Sequence, residues 1–355
     1  MHGYDGNFEP LGIDADVMLG GDGDDTMFGD AEELLLLTST DWMFGQNGND
    51  IMHGGKQVDW MFGGSGADTM HGDSNSILLP FSTDFMFGNV GDDTMDGGNG
   101  LDLMFGNDGA DIMNGDDESL LLISPDLMFG NAGDDTMNGG ASADLMFGNA
   151  GDDTMLGDSN VLWFVASTDL MFGNAGNDIM DGGNAADIMF GNSGDDRMSG
   201  DNNSPGLISP DLMFGNSGDD WMNGGNSADA MFGGVDRDTM LGDDHLWWQL
   251  LSTDLMFGGD NCDKMFGGTS NDLMFGNGDV DKMDGQRGLD IMFGNASSDH
   301  INGGDGWDIL FGNSGTDVIH GNDGWDIVSG GSEDDRIFGD NGWDVLLGNS
   351  GNDLI

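Results

Sequence analysis

Twelve residues, DLMFGNAGDDTM, run from Asp126 to Met137 and recur letter for letter from Asp144 to Met155, after a step of eighteen. A fixed short period constrains a chain more than any local preference does, because each repeat must stack on the next copy of itself. Cutting before each recurrent glycine gives nonapeptides such as GNAGDDTMN (130–138), GGASADLMF (139–147) and GNAGDDTML (148–156). The register holds from Gly3 to Ile355 in 34 units: 27 nonapeptides, the last lacking its ninth residue, and seven longer units of 15 to 17 residues. Every unit opens with Gly and carries an Asp two residues before a hydrophobic position, from Asp16 through Asp353.

The nonapeptide can be read physically. Gly at the first and often the fourth position lets the backbone turn tightly and reach positive φ, so that carbonyl oxygens bend towards one point. Asp at the sixth position adds a carboxylate there. The last three residues, such as TMN or LMF, form a short strand whose middle residue points inward. Two nonapeptides make one turn of a solenoid, so the step of eighteen is one coil stacked on the next. Composition agrees, because 67 Gly in 355 residues exclude ordinary helical domains. Seven Lys and Arg against 67 Asp and Glu leave a net charge of −60, a self-repulsion that needs cations to offset it. Nucleic acid requires a basic surface and is not an expected partner, and an anionic membrane is disfavoured for the same reason. Converging carbonyl and carboxylate oxygens suit a hard cation, with Ca²⁺ favoured over Mg²⁺ because it accepts irregular coordination.

The pattern resembles the G-G-x-G-x-D-x-U-x nonapeptide of the RTX (haemolysin-type) calcium-binding family over essentially all 355 residues. The resemblance implies an all-β fold, a parallel β-roll (β-solenoid) of two nonapeptides per coil and about 17 coils, with Ca²⁺ held between turns of adjacent coils. It also implies secretion into a calcium-rich medium, hence an extracellular or cell-surface location. A single continuous roll over 1–355 is expected, with long hydrophobic loops inserted regularly on one edge in 1–257 and plain nonapeptides in 258–355.

Gly stands at the fourth position in 17 of the 27 nonapeptides. On one turn edge these well-formed units end at Asp25, Asp50, Asp68, Asp93, Asp111, Asp135, Asp153, Asp178, Asp196 and Asp220, which are the first candidate calcium ligands. The opposite edge mostly reads GGKQVD, GGASAD, GGNAAD or GGNSAD, without that Gly. From about Gly233 the first edge degrades (GGVDRD, GGDNCD) and the second improves. This adds Asp290, Asp308, Asp326 and Asp344 on the second edge, with Asp317 and Asp353 on the first. Arg237, Lys264, Lys282, Arg287 and Arg336 fall in this later part and are expected to replace missing ions in part. One Ca²⁺ per well-formed turn, on the order of 20 to 30 ions, would cancel most of the charge.

All 28 Met occupy the inward strand position, which is assigned to packing; after Met292 the same slot reads Ile301, Leu310, Ile319, Val328, Ile337, Leu346 and Ile355. Alternate units end in Phe, an unbroken series of fourteen from Phe44 to Phe311. Strand alternation turns these outward together with apolar seventh positions such as Trp42, Trp60 and Leu145. The other sheet shows Thr94, Thr136, Asn138 and Thr154 outside. At about 4.8 Å per coil the Phe strip covers some 600 Å², at the upper limit of what a soluble monomer leaves bare. The long units from Gly29 to Gly242 are spaced 42 or 43 residues apart, two coils plus six or seven residues. Their contents are apolar, as in SNVLWFVAST and DHLWWQLLST, and all five Pro fall in long units. Loops and strip together read either as self-covering or as an interface with other copies of the chain or with a hydrophobic surface.

Trp307, Trp325 and Trp343 share the fifth position of successive coils and are expected to stack. Cys262 is the only cysteine, so no internal disulfide forms, and no nucleophile, base and orienting acid can be picked out. Catalysis is not expected. Both termini cut through a repeat, as expected of a window from a longer protein or of ends that stack. The expected function is an extracellular calcium-binding structural or adhesive repeat protein, forming a filament, matrix or surface layer. The alternative is the C-terminal secretion and folding module of a longer RTX toxin or secreted hydrolase.

Overall fold

The computed structural model describes residues 15–29, 40–73, 82–116, 125–158, 167–201, 209–243 and 253–355. Among them are 34 strands and no α-helix, hence no helix long and apolar enough to cross a membrane. Contacts divide the chain into two compact units, Met1–Met180 and Asp181–Ile355. Each is a parallel β-roll of two sheets.

In the first unit one sheet runs from Val17–Asp22 through Trp42–Asn47, Trp60–Ser65, Phe85–Val90, Leu103–Asp108, Leu127–Ala132 and Leu145–Ala150 to Leu170–Ala175. Each strand pairs in parallel with the equivalent strand of the next coil. The strands between them, such as Thr136–Gly140 and Thr154–Asp158, form the second sheet in the same way. In the second unit the first sheet runs from Ile188–Ser193 to Val345–Ser350 and the second from Arg197–Asp201 through Val318–Gly324 to Arg336–Phe338.

Register explains why like residues stack. Across a plain coil Leu127, Met128 and Phe129 pair with Leu145, Met146 and Phe147, a step of 18. Across a coil with a long unit the step is 25, yet Leu145, Met146 and Phe147 still meet Leu170, Met171 and Phe172. The ladder therefore keeps its register across a long unit. The insertions themselves, and Met1, lie outside the described residues.

Strands between the first and last coils show alternating burial, with the inward residue enclosed, as in Leu127–Ala132 and Leu145–Ala150, whereas Met18 and Leu346 at the ends are half-buried. Met43 through Met292 are at most 1% exposed, and Ile301, Leu310, Ile319, Val328 and Ile337 continue the same core. Every such side chain contributes on the order of 1.5 to 3 kcal/mol. Unbranched thioethers fill the narrow space between sheets without the stiffness of branched side chains. Outside the first sheet, Phe105, Phe129, Phe147 and Phe172 stack with ring centroids 4.8 to 4.9 Å apart. Phe190, Phe214, Phe232, Phe257, Phe275, Phe293 and Phe311 do so in the second unit. Trp307, Trp325 and Trp343 stack at 5.3 and 5.6 Å, as the sequence leads one to expect.

Candidate metal centre

The turn from Gly148 to Asp153 represents the first edge. Gly148 has no room for a side chain, because a Cβ there would overlap Oδ2 of Asp153. Asn149 adopts φ 79°, and its Nδ2 donates to the Phe147 carbonyl at 3.2 Å. Asn tolerates this left-handed conformation better than other side chains do. The FGN triplet recurs coil after coil and is the sequence signal for this turn entry. Gly151 has φ 142°, and a Cβ on it would overlap the carbonyl oxygen of Gly133. Fourth-position carbonyls are thereby stacked in a column, Gly109 under Gly133 and Gly133 under Gly151.

The sixth-position carboxylates form a second column. Oδ1 of Asp135 accepts the amide of Asp111 at 2.8 Å, and Oδ1 of Asp153 accepts the amide of Asp135 at 2.8 Å. Oδ2 of both is buried with no hydrogen-bond partner. The same geometry recurs at Asp50, Asp68, Asp93, Asp111, Asp220, Asp290, Asp308, Asp317 and Asp326. Asp178 and Asp196 take the same place, accepting from Asp153 at 2.8 Å in the case of Asp178. At the ends of the described chain Asp25, Asp344 and Asp353 are only half-buried, although Asp344 and Asp353 still accept the amides of Asp326 and Asp335.

Burial raises these carboxyls, and neighbouring carboxylates raise them further. Asp93, Asp135 and Asp153 are pushed up to about 7, Asp111 to about 6 and Asp220 to about 8. A carboxylate held this way is stable only if protonated or paired with a cation. Among the described residues no three His, Cys, Asp or Glu side chains close on one point. An ion here would therefore need the turn carbonyls as well as the carboxylates. The donor set is entirely oxygen, and an orphaned buried Oδ2 stands in turn after turn, so the residues fit Ca²⁺.

The second edge carries the same carboxylate column where the fourth-position glycine is absent. Asp126 donates its amide to Oδ1 of Asp144 at 2.7 Å, and Oδ2 of each is buried without a partner. Burial, with Asp102, Asp144 and Asp116 nearby, pushes Asp126 up to about 10, and Asp144 to about 8. Asp84, Asp254 and Asp272 belong to this column without a fourth-position glycine, Asp102 belongs to it with Gly100 in that position, and none of the four is among the sequence candidates. The constant phase of the sixth-position Asp behind a first-position Gly was the signal that would have included them.

The basic residues divide. Arg237 takes a fifth position, where its amide bonds Oδ1 of Asp219 at 3.0 Å and its guanidinium pairs with Oδ2, holding Asp219 below the usual carboxylate range. Arg287 faces Asp305 at 3.6 Å. Lys264, Lys282 and Arg336 open strands instead, with Lys264 stacked on Lys282. Lys264 still lies close enough to the turn carboxylate of Asp219 to help Arg237 hold it down.

A family model described as the RTX calcium-binding nonapeptide repeat (4 copies) matches residues 12–32, 38–75, 83–118, 125–160, 166–202, 206–240, 257–292, 284–319 and 320–355. No curated protein matches the chain.

Proposed function

The chain belongs to the RTX calcium-binding nonapeptide-repeat family, and from that premise we propose an extracellular structural or adhesive protein, loaded with calcium at its turns, that associates with further copies of itself. The observation that carries the self-association is the stacked phenylalanine face. In the first unit Phe44, Phe62, Phe87, Phe105, Phe129, Phe147 and Phe172 point out of the sheet beside Trp42, Trp60, Phe85 and Leu127. All seven are partly exposed. Charged side chains make up 21% of the chain yet are missing from this face, which leaves an apolar strip rather than scattered apolar residues.

Burying about 600 Å² per partner at about 25 cal/mol per Å² gives a gross term near 15 kcal/mol, against association costs of about 4 to 15 kcal/mol. One strip alone gives weak pairing, and repetition along an assembly strengthens it. The test is light scattering in millimolar calcium on the wild type and on Phe105→Ser/Phe129→Ser/Phe147→Ser. Large species in the wild type that vanish in the variant, with the β signal intact, support association. A wild type that is monomeric at high concentration means that the chain covers its own strip and overturns the reading.

A further inference from the structure

On the second edge the second position of the turn alternates. In the first unit it reads Gly55, Asp73, Gly98, Asp116, Gly140 and Asp158 in successive coils. The glycines have φ of 103°, 87° and 107°. A Cβ on Gly98 would crowd Asp73, and one on Gly140 would crowd the Cβ of Asp116. Each aspartate thus lies against a glycine that leaves room for it. Each is also the first residue after the glycine that opens a long unit, so it stands at the base of an apolar insertion.

Asp116 and Asp158 are 7% and 3% exposed. Serines at the fourth position, where the first edge has glycine, donate to these carboxylates. Ser142 bonds Oδ2 of Asp116 at 2.7 Å, Ser167 bonds Oδ1 of Asp158 at 2.5 Å, and Ser82 bonds Asp73. Beside Asp116 lie Asp126 and Asp144, both 3% exposed, each with a buried Oδ2 that has no hydrogen-bond partner. No Lys or Arg occurs between Lys56 and Arg197, and of these bases Lys56 reaches Asp73. Buried carboxylates clustered like Asp116, Asp126 and Asp144 require a cation or protons.

We propose that Asp116, and by the same placement Asp73, Asp158 and Asp243, is a calcium ligand at the base of its insertion, sharing an ion with flanking sixth-position carboxylates. For Asp116 these are Asp126 and Asp144. The proposal rests on the calcium reading of the turns and extends it to the edge that lacks the fourth-position glycine. There an added carboxylate supplies oxygens that the first edge draws from its stacked glycine carbonyls. The side chains do not close on one point in this structure, and Asp116 is turned to Ser142, so the ion competes with that hydroxyl. Asp116 precedes the insertion and Asp126 follows it, so one ion would clip both ends of 117–124. Asp73 with Asp84, Asp158 with Asp169 and Asp243 with Asp254 bracket the other insertions in the same way. A clip that closes a long loop gains most from ion binding.

The opposing reading is a plain hydrogen-bonded staple between Asp116 and Ser142. Calcium equilibrium dialysis on the full chain separates the two. Asp116→Asn keeps an acceptor for Ser142 but removes the charge, whereas Ser142→Ala removes only the hydroxyl. We expect Asp116→Asn to lose one bound ion, Asp73→Asn/Asp116→Asn/Asp158→Asn/Asp243→Asn to lose one per substitution, and Ser142→Ala to lose none. Circular dichroism checks that each variant folds, and the single variant decides if the quadruple one does not. Chymotrypsin cleavage at Trp163 in calcium should rise for Asp158→Asn over wild type. Unchanged ion counts, with Asp116→Asn and Ser142→Ala loosening the insertion equally, overturn the proposal. A wild type that binds no calcium at all removes the underlying reading instead.

Discussion

The amide of Asp135 donates to Oδ1 of Asp153, one coil on, at 2.8 Å, and Oδ2 of Asp153 is left buried with no hydrogen-bond partner. One carboxylate oxygen thus locks the backbone of the neighbouring coil while the other needs a cation. This geometry would couple folding to calcium binding through a single side chain. Circular dichroism should show disorder in chelator and β-structure on adding millimolar Ca²⁺. Equal β content in both conditions would defeat the coupling.

Protons should act as weak substitutes for calcium. Burial pushes Asp135 and Asp153 up to about 7 and Asp144 up to about 8, against about 3.9 in an unfolded chain. The folded state therefore binds more protons, and its stability falls as pH rises. That contribution is complete below about pH 4 and is lost as pH rises through 7 to 8. In chelator, β-structure should accordingly be greater at pH 5 than at pH 8, while the calcium midpoint should be higher at pH 5. A chelated chain that gains structure with rising pH would contradict the burial of these carboxyls.

Turn glycines should matter by position. Gly148→Ala drives a Cβ into Oδ2 of Asp153, and Gly151→Ala drives one into the Gly133 carbonyl at φ 142°. Both collide with the candidate ligand oxygens. Asn149→Ala leaves the oxygens in place and costs about 1 to 2 kcal/mol for the left-handed backbone. Calcium titrations followed by circular dichroism should rank both glycine variants above Asn149→Ala in midpoint. The reverse order would mean that the turn oxygens do not hold the ion.

Much of this fold was legible because the period forces it. Met128 meets Met146, and Phe129 meets Phe147, by arithmetic alone once two nonapeptides are taken as a coil. The Trp307, Trp325 and Trp343 stack follows from the same step. The candidate site was legible in kind but not in extent. Choosing ligands by the fourth-position glycine favours Asp153 over Asp144, yet both bury an unpartnered Oδ2 in the same way. Glycine at that position reports backbone room, whereas carboxylate burial depends on the first-position glycine and on stacking, which all coils share. The alternation of Gly140 with Asp116 and Asp158 was visible as letters, but its meaning depends on which residues lie above one another across an insertion. We therefore expect Asp144→Ala to raise the calcium midpoint by about as much as Asp153→Ala. An Asp144→Ala variant indistinguishable from wild type would restore the distinction between edges.

The methionine core predicts a final dependence on calcium. Met43 through Met292 are at most 1% exposed, so peroxide cannot reach their sulfurs in the folded roll, while a chain unfolded in chelator offers all of them. Oxidation transfers one oxygen from peroxide to each thioether, giving the sulfoxide and water. The product is polar and chiral in a slot between Met128 and Met171 that contains only other side chains of the core. Burying a sulfoxide oxygen among these apolar side chains costs about 1 to 3 kcal/mol where it goes unsatisfied. Repeated over the column, this should block folding. Peroxide applied in chelator, then removed before calcium is added, should leave a chain that no longer gains β-structure. The same exposure in calcium should spare the core and mark only half-buried Met18 among the described methionines. Coils built on Ile301, Leu310, Ile319, Val328 and Ile337 have no sulfur to oxidise, so peptides from this stretch serve as the internal control in mass spectrometry. Equal sulfoxide content with and without calcium would show that the methionines are not enclosed as described.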